Sequence, residues 1–309
     1  MNHSANERIG NTNSNAPGII HLEKSPALVR GLYGIEKPGN RTLLLIYPKR
    51  SCSYAIKNKP CTYCGFWKRE PKTEGLMKFE DAAKQIKDGD RIEYLLGGSM
   101  LDRAQVNILG LMSSFRVLAS TGAECILLET RPEYISEKEI SYFKRRLGDK
   151  TLEIAVGLET TNDQLRAKLN KGYDLRDVEE AFRKIVMAGA YPVTYLLIGL
   201  EMSEKEAIED FRRSVSDLDQ MQRRIGAPIR IALETFYPVE KYHKQGKYLT
   251  PEFVARVVKE AKLRHDITIF VATSSEGLCS HPLLTAKQNF DSFNLTQDVS
   301  HLGRVSSGG

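Results

Sequence analysis

Short apolar runs alternate along the chain with longer segments in which apolar residues recur every three or four positions. The first run, Thr-Leu-Leu-Leu-Ile-Tyr at 42–47, is continuous, as expected of a strand buried on both faces. Similar runs rich in Val, Ile, Leu and Tyr lie at 92–96, 125–129, 152–157, 193–198, 229–233 and 267–272. Helices are predicted between them. Ser136-Glu-Lys-Glu139 and Ser203-Glu-Lys-Glu206 have the form of capping boxes, in which Ser caps the helix and Glu reaches back. Behind the second, Ile208, Phe211, Val215 and Leu218 keep helical spacing. Asp174 is placed to cap a helix that carries Leu175, Val178, Phe182 and Ile185 on one face, with Gly189 as its stop. Thr250-Pro251 opens a late helix, with proline in the first turn where its missing N–H does no harm.

Strand–helix alternation repeated six or seven times predicts an α/β fold, a parallel sheet with helices outside it. The pattern leaves an open doubly wound sheet and a partial TIM-type barrel both open. In a barrel, function gathers at the C-terminal ends of the strands. Polar and glycine-rich stretches do fall there. Cys52, Cys61 and Cys64 follow the first strand and Gly97, Gly98 and Ser99 the second. Glu129, Arg131 and Glu133 follow the third and Glu159 the fourth. Residues 1–26 are rich in Asn, Ser and Gly, lack an apolar stretch, and are expected to form a mobile tail rather than a signal peptide. No apolar run approaches bilayer length, so no membrane segment and a cytoplasmic location are expected.

Composition sharpens this only locally. The chain has 309 residues, 27% of them charged and 8% aromatic, which suits a globular enzyme. Three of its five cysteines crowd into 52–64. In a cytosolic protein such a cluster binds metal more often than it forms disulfides. Cys125, inside an apolar run, reads as a core thiol. Cys61-Thr-Tyr-Cys64 puts two thiolates on one tight turn. Three thiolates on a [4Fe–4S] cluster leave the fourth iron open to an outside group. A structural zinc site needs four closed ligands, and Cys279 or His281 is available as the fourth. A redox Cys-x-x-Cys normally opens a helix in a thioredoxin pattern, which is absent. Spacing alone does not separate iron–sulfur from zinc. Around the cysteines, Gly97, Gly98 and Ser99 allow close backbone approach by a polar ligand. Glu159 is placed to meet ribose hydroxyls, Lys171 a carboxylate, and Tyr63 either an adenine or the core. Glu129, Arg131 and Glu133 are the candidates for shaping a catalytic pocket. Net charge is +6, yet between residues 41 and 72 eight basic residues (Arg41, Lys49, Arg50, Lys57, Lys59, Lys68, Arg69, Lys72) face one acid, Glu70. That is either a solvated loop or an anion-binding rim.

The Cys61-x-Tyr63-Cys64 step resembles the radical S-adenosylmethionine (SAM) signature, and the long first spacing resembles its Elongator-type and oxygen-independent coproporphyrinogen oxidase-like branches. Further segments resemble the archaeosine-forming members of that superfamily: 98–102, 129–135, 155–160 with Asn162 and Asp163, 170–172, 203–210 and 293–298. They run in family order from about residue 42 to 302. The resemblance implies a partial (β/α)6 barrel over 27–240, followed by an extension at 241–309 that packs on it. It implies a [4Fe–4S] cluster on Cys52, Cys61 and Cys64, with SAM meeting Gly97, Gly98, Ser99, Glu159 and Lys171; Tyr63 is the further candidate for SAM, through its adenine. It implies a lyase-type step on tRNA, in which a lysine joined to a 7-deazaguanine base is cut at a carbon–nitrogen bond. The implied partners are tRNA, the lysine-transferring archaeosine synthase, and an electron donor such as ferredoxin or flavodoxin. The chain departs from the pattern at Ser51, where Gly is usual, at 198–202, at 234–238, and around Cys279, which lacks a second Cys-x-x-Cys.

Overall fold

The structure, a computed structural model, describes residues 18–23, 27–28, 38–39, 42–46, 52–64, 79–84, 86–95, 99–200, 202–235, 249–272 and 286–304. Seven strands run parallel: β4 (Thr42–Ile46), β5 (Arg91–Leu95), β6 (Cys125–Thr130), β7 (Thr151–Glu159), β8 (Tyr191–Ile198), β9 (Arg230–Thr235) and β10 (Thr268–Val271). Each coincides with a predicted run to within a few residues. Their order in the sheet is their order in the chain. A doubly wound sheet reverses direction at a switch point; this one does not. Right-handed crossovers then put the helices that connect the strands on one face, and the other face curls into a half-barrel. The partial barrel is therefore the architecture, with six strands up to β9 and β10 added beyond them.

Side-chain alternation separates the two faces. Ile126, Leu128, Leu152, Ile154, Val156, Leu196, Ile198, Ile231 and Leu233 join the helices in the main core. These helices are α3 (Ile108–Ala119), α4 (Glu137–Leu147), α6 (Leu175–Met187), α7 (Glu204–Ile225) and α8 (Pro251–Arg264). Leu127, Ala155, Val193 and Ala232 form a separate, smaller cluster on the inner face. Small residues suit the concave side, where strands converge. Curvature is also visible in charge. Arg91 on β5 and Arg230 on β9 reach the same carboxylate, Glu153 on β7, at 2.6 and 3.3 Å. In a flat sheet each would lie two strand spacings, about 9–10 Å, to the side.

Both edges of the sheet are covered. β1 (Gly18–Glu23) pairs antiparallel with β4. It falls inside the segment expected as a mobile tail, so that expectation is corrected for 18–23: the run Ile19-Ile20-x-Leu22 is apolar enough to add a strand. At the far edge, Asn294 and Gln297, within and just after α9 (Lys287–Thr296), bond the β10 backbone. The Asn294 amide accepts from Val271 N and donates to Val271 O, both at 2.8 Å. Gln297 treats Ile269 in the same way, at 3.0 and 2.8 Å. Two side-chain amides thus stand in for the next strand.

Helix ends follow the predicted signals with one exception. Ser203 and Glu206 form a full capping box, Asp174 caps α6 with Asp177 reciprocating, and Thr250 caps α8. Ser136 starts α4 but makes no side-chain cap. Its partner Glu139 is drawn instead to Arg103, at 2.5 Å. Among the described residues no helix is long and apolar enough to cross a membrane.

Glu153 sets a stability test. Burial pushes its carboxyl up, but Arg91 and Arg230 outweigh burial and hold it below the usual carboxylate range. A depressed folded value means that its stabilisation is complete above the unfolded value, about 4.3, and is lost as pH falls through the folded one. Glu153→Gln leaves two buried guanidiniums without their counter-charge and should cost about 3–5 kcal/mol at neutral pH. Urea unfolding of both proteins checks this, and their difference should shrink as pH falls below about 4.

Candidate active site

The mouth of the half-barrel is built around the segment 52–64. Cys52 precedes the short helix α1 (Ser53–Lys57), and a turn with Cys64 N donating to Cys61 O (3.2 Å) carries the other two cysteines. All three cysteines are half-buried. The segment is docked at four places. Ser53 donates to Asp102 and lies 3.3 Å from the Tyr134 hydroxyl. Tyr54 donates to the Asn170 carbonyl at 2.9 Å, and Asn170 returns its amide to the Lys59 and Pro60 carbonyls. Thr62 N donates to Leu169 O at 3.2 Å.

The last docking point is a buried polar triad. The Tyr63 hydroxyl donates to Glu159 Oε1 at 2.6 Å, and Lys171 Nζ donates to the same oxygen at 2.9 Å and to the Tyr63 oxygen at 3.0 Å. Burial opposes the Lys171 ammonium, but Glu159 and the neighbouring phenols carry it well above its ordinary value, so it stays charged. Burial, then Glu159, pushes the Tyr63 phenol well up, so it stays protonated. Glu159 ends β7 through a bulge, with φ at 67°. Gly157 makes room for it: a Cβ there would lie 2.8 Å from Glu159 Oε1. The turn beyond is locked from below. Buried Arg166 donates to Thr160 O, Thr160 donates to Asp210 at 2.8 Å, and Thr161 donates to Asp217 at 2.6 Å. Arg166 belongs to α5 (Asp163–Lys168).

Several predicted site residues take other places. Arg131 is buried: Nη2 donates to Lys171 O, Nε pairs with Glu133, and its guanidinium carbon lies 3.7 Å from the Tyr54 ring centroid. Ser99 is fully buried, its N–H on Gln105 (3.0 Å) and its hydroxyl oxygen accepting from Arg131 N (2.9 Å). Glu129 lies on the inner face at the top of β6 and Glu133 is on the rim. Gly97, Gly98, Cys279 and His281 lie outside the described residues, as does most of the basic stretch; Lys57 and Lys59 are exposed. Sequence reasoning missed Ser53, Tyr54, Asp102, Asn170 and Tyr173 as site builders. Asp102 and Asn170 sat in family-like segments and were findable; Tyr54 carried no signal. Beside Tyr63, a cavity of about 400 Å³ is lined by Leu165, Leu169, Leu200 and Met202, with Glu206 and Asp210 at its polar side.

The donor set suits an iron–sulfur cluster. Burial outweighs the pull of Lys171 and Arg131 and leaves the Cys61 thiol above its ordinary value. The two cations are nonetheless close enough to Cys61 to act on the negative charge of a cluster held there. Among the described residues no three His, Cys, Asp or Glu side chains are arranged round a single ion. A cluster asks for no such convergence, since each thiolate binds its own iron.

Gly172 provides the test of the docking geometry. Its φ is 76°, and a Cβ would come within 3.0 Å of three atoms of the Tyr54 ring and hydroxyl. Gly172→Ala should displace Tyr54 and free the segment, so iodoacetamide should label Cys61 several-fold faster than in the parent, read by peptide mass spectrometry.

The model of the radical SAM superfamily matches residues 47–215, more than half of the chain. The β subunit of archaeosine synthase from Methanosarcina acetivorans is 27% identical over 237 residues, covering 73% of this chain and 68% of that protein. Its counterpart from Thermococcus kodakarensis is 28% identical over 190 residues, covering 58% of each protein. Among solved structures, Elp3 from Methanocaldococcus infernus is 16% identical with a TM-score of 0.44, covering 59% of this chain and 47% of that one. The chain belongs to the radical SAM superfamily, whose cofactors are a [4Fe–4S] cluster and SAM.

Proposed function

We propose that this enzyme modifies tRNA, forming archaeosine by cleaving a carbon–nitrogen bond in the side chain of a lysine joined to a 7-deazaguanine base. The observation that carries the reading is the pairing of a cysteine segment docked on Glu159 and Lys171 with relatives that are archaeosine synthase β subunits. Cys52, Cys61 and Cys64 would hold the cluster. When bound, the reduced cluster and SAM supply a radical able to abstract hydrogen from an unreactive C–H bond. The protein's own residues bind and orient. Lys171, kept charged, suits the SAM carboxylate, and Glu159 suits ribose hydroxyls. The cavity beside Tyr63, with Leu165, Leu169, Leu200 and Met202 on its apolar side, is of a size suited to the adenosyl group. By the family resemblance Gly97, Gly98 and Ser99 would meet the amino end of SAM, and Glu129 and Glu133 would shape the substrate side. The exposed Lys57 and Lys59 belong to the basic stretch that would meet tRNA phosphates. The partners would be the lysine-transferring archaeosine synthase and a ferredoxin or flavodoxin, in the cytoplasm.

A second reading has an observation of its own. Glu206, Glu209 and Asp210 line the cavity against Lys168 and Arg213, an acidic balance that suits a small cationic or peptide substrate better than a polyanion. One experiment separates the two. Anaerobically reconstituted protein with SAM and reductant should release 5′-deoxyadenosine, and Cys61→Ala should release none. With tRNA carrying the lysine adduct, nucleoside mass spectrometry should show archaeosine, and tRNA binding should weaken steeply with salt. 5′-Deoxyadenosine without archaeosine or tRNA binding would favour the small-substrate reading.

A further inference from the structure

Cys52 and Cys61 are separated by eight residues, far more than a metal-binding turn requires. These residues build α1 and seat one aromatic ring. The Tyr54 ring centroid lies 3.7 Å from the Arg131 guanidinium carbon, and the Tyr173 ring approaches the same carbon at 5.0 Å. Arg131 is otherwise engaged inside the protein, on the Lys171 carbonyl and Glu133. The Tyr54 hydroxyl donates to Asn170 O at 2.9 Å, and Cys61 Sγ donates to that same oxygen at 3.6 Å. One carbonyl therefore joins the aromatic ring, the arginine beneath it and a cysteine that the cluster requires.

We propose that Arg131 and Tyr54 are positioning residues for the iron–sulfur cluster: a stacked pair that fixes Cys61 and sets the charge beside it. As a metal ligand, Cys61 has no proton to donate. The Asn170 oxygen would then face sulfur electron density, and the Tyr54 hydroxyl is the donor that keeps this carbonyl satisfied. The guanidinium behind the ring adds a fixed positive charge on the Cys61 side. Reduction makes a cluster more negative, and nearby charge and hydrogen bonding set its potential. Arg131 therefore favours the reduced form, while its contact over the Tyr54 ring holds the segment in place. The inference rests on the radical SAM assignment alone and not on the tRNA reading.

The test uses reconstituted holoenzyme without tRNA, as parent, Arg131→Gln, Arg131→Lys and Tyr54→Phe. Potentiometric titration followed by electron paramagnetic resonance gives the cluster potential, and the rate of bleaching by a chelator gives its retention. Arg131→Gln should lower the potential and bleach about tenfold faster, the scale on which groups outside the ligands affect metal affinity. Arg131→Lys keeps the charge and loses the stack, so it should hold the parent potential and still bleach faster. Tyr54→Phe keeps the ring and should lower the potential with little change in bleaching. Both conservative variants keep the test open if the glutamine variant folds poorly. Parent-like potential and bleaching in all three variants would overturn the proposal. With SAM cleavage lost in the same proteins, that result would place Arg131 against SAM or substrate instead. Absence of archaeosine formation would leave these readouts untouched.

Discussion

The Glu159 carboxylate must be turned back over Gly157 into a buried space that it shares with the Lys171 ammonium and the Tyr63 phenol. Much of the barrel mouth is arranged to meet that requirement. A left-handed backbone at a non-glycine residue costs about 1–3 kcal/mol and persists only when its surroundings over-determine it. Here Arg166, Thr160, Thr161, Asp210 and Asp217 do so from the α5–α7 side. Asn170 and Gly172, both at positive φ, flank Lys171 and bring its ammonium to the same point. A buried ion pair contributes little net stability, because desolvation offsets attraction. Its value here lies in placement: it connects the cysteine segment, through Tyr63, to β7 and to the turn that follows α5.

The half-barrel has a different kind of charge at its other end. At the base, Glu153 is shared by Arg91 and Arg230 on regular strands with no left-handed residue beside it. At the mouth, charge sits on bulged and left-handed backbone. A sheet closed at both edges, by β1 and by the Asn294 and Gln297 amides, provides a stiff frame in which such strain can be held. The strained positions Glu159 and Asn170 gather at the mouth, around the cysteine segment, which is the pattern expected when geometry at a site is fixed against local backbone preference.

The strands and most helix ends were legible because their cause is local. Apolar runs and caps act over a few residues, and Asp174, Ser203 and Thr250 do what their spacing announced. Ser136 failed for a non-local reason, since Arg103 competes for Glu139. The site was legible by kind but less so by role. Glu159, Lys171 and Tyr63, each singled out separately in the sequence, bond to one another. Arg131, expected at a catalytic pocket, is instead in contact with two aromatic rings, and neither Tyr54 nor Tyr173 could be identified from sequence. The Arg131–Tyr54 contact spans most of two strands and their helices and leaves no periodic trace; only folding shows which ring an arginine finds. The segments 98–102, 129–135 and 170–172 share one physical task that their sequences did not reveal. Through Ser99, Asp102, Tyr134, Arg131 and Asn170, each helps to hold the cysteine segment.

The direction of the helices has a consequence for what can approach the mouth. Each helix returns antiparallel to its strand, so helix N-termini gather at the strand C-terminal ends. Acidic residues in first turns complement the helix dipole, and Asp163, Asp177, Glu204 and Glu206 occupy those places on α5, α6 and α7. Basic residues in last turns do the same at the base, as with Lys144, Arg145 and Arg146 on α4 and Arg223 and Arg224 on α7. The stabilising pattern thus makes the α5–α7 side of the mouth acidic. A polyanion drawn to this enzyme is repelled there and is better received over the cysteine segment, where Lys57 and Lys59 are exposed. A rule that stabilises individual helices therefore also favours one direction of approach to the cluster.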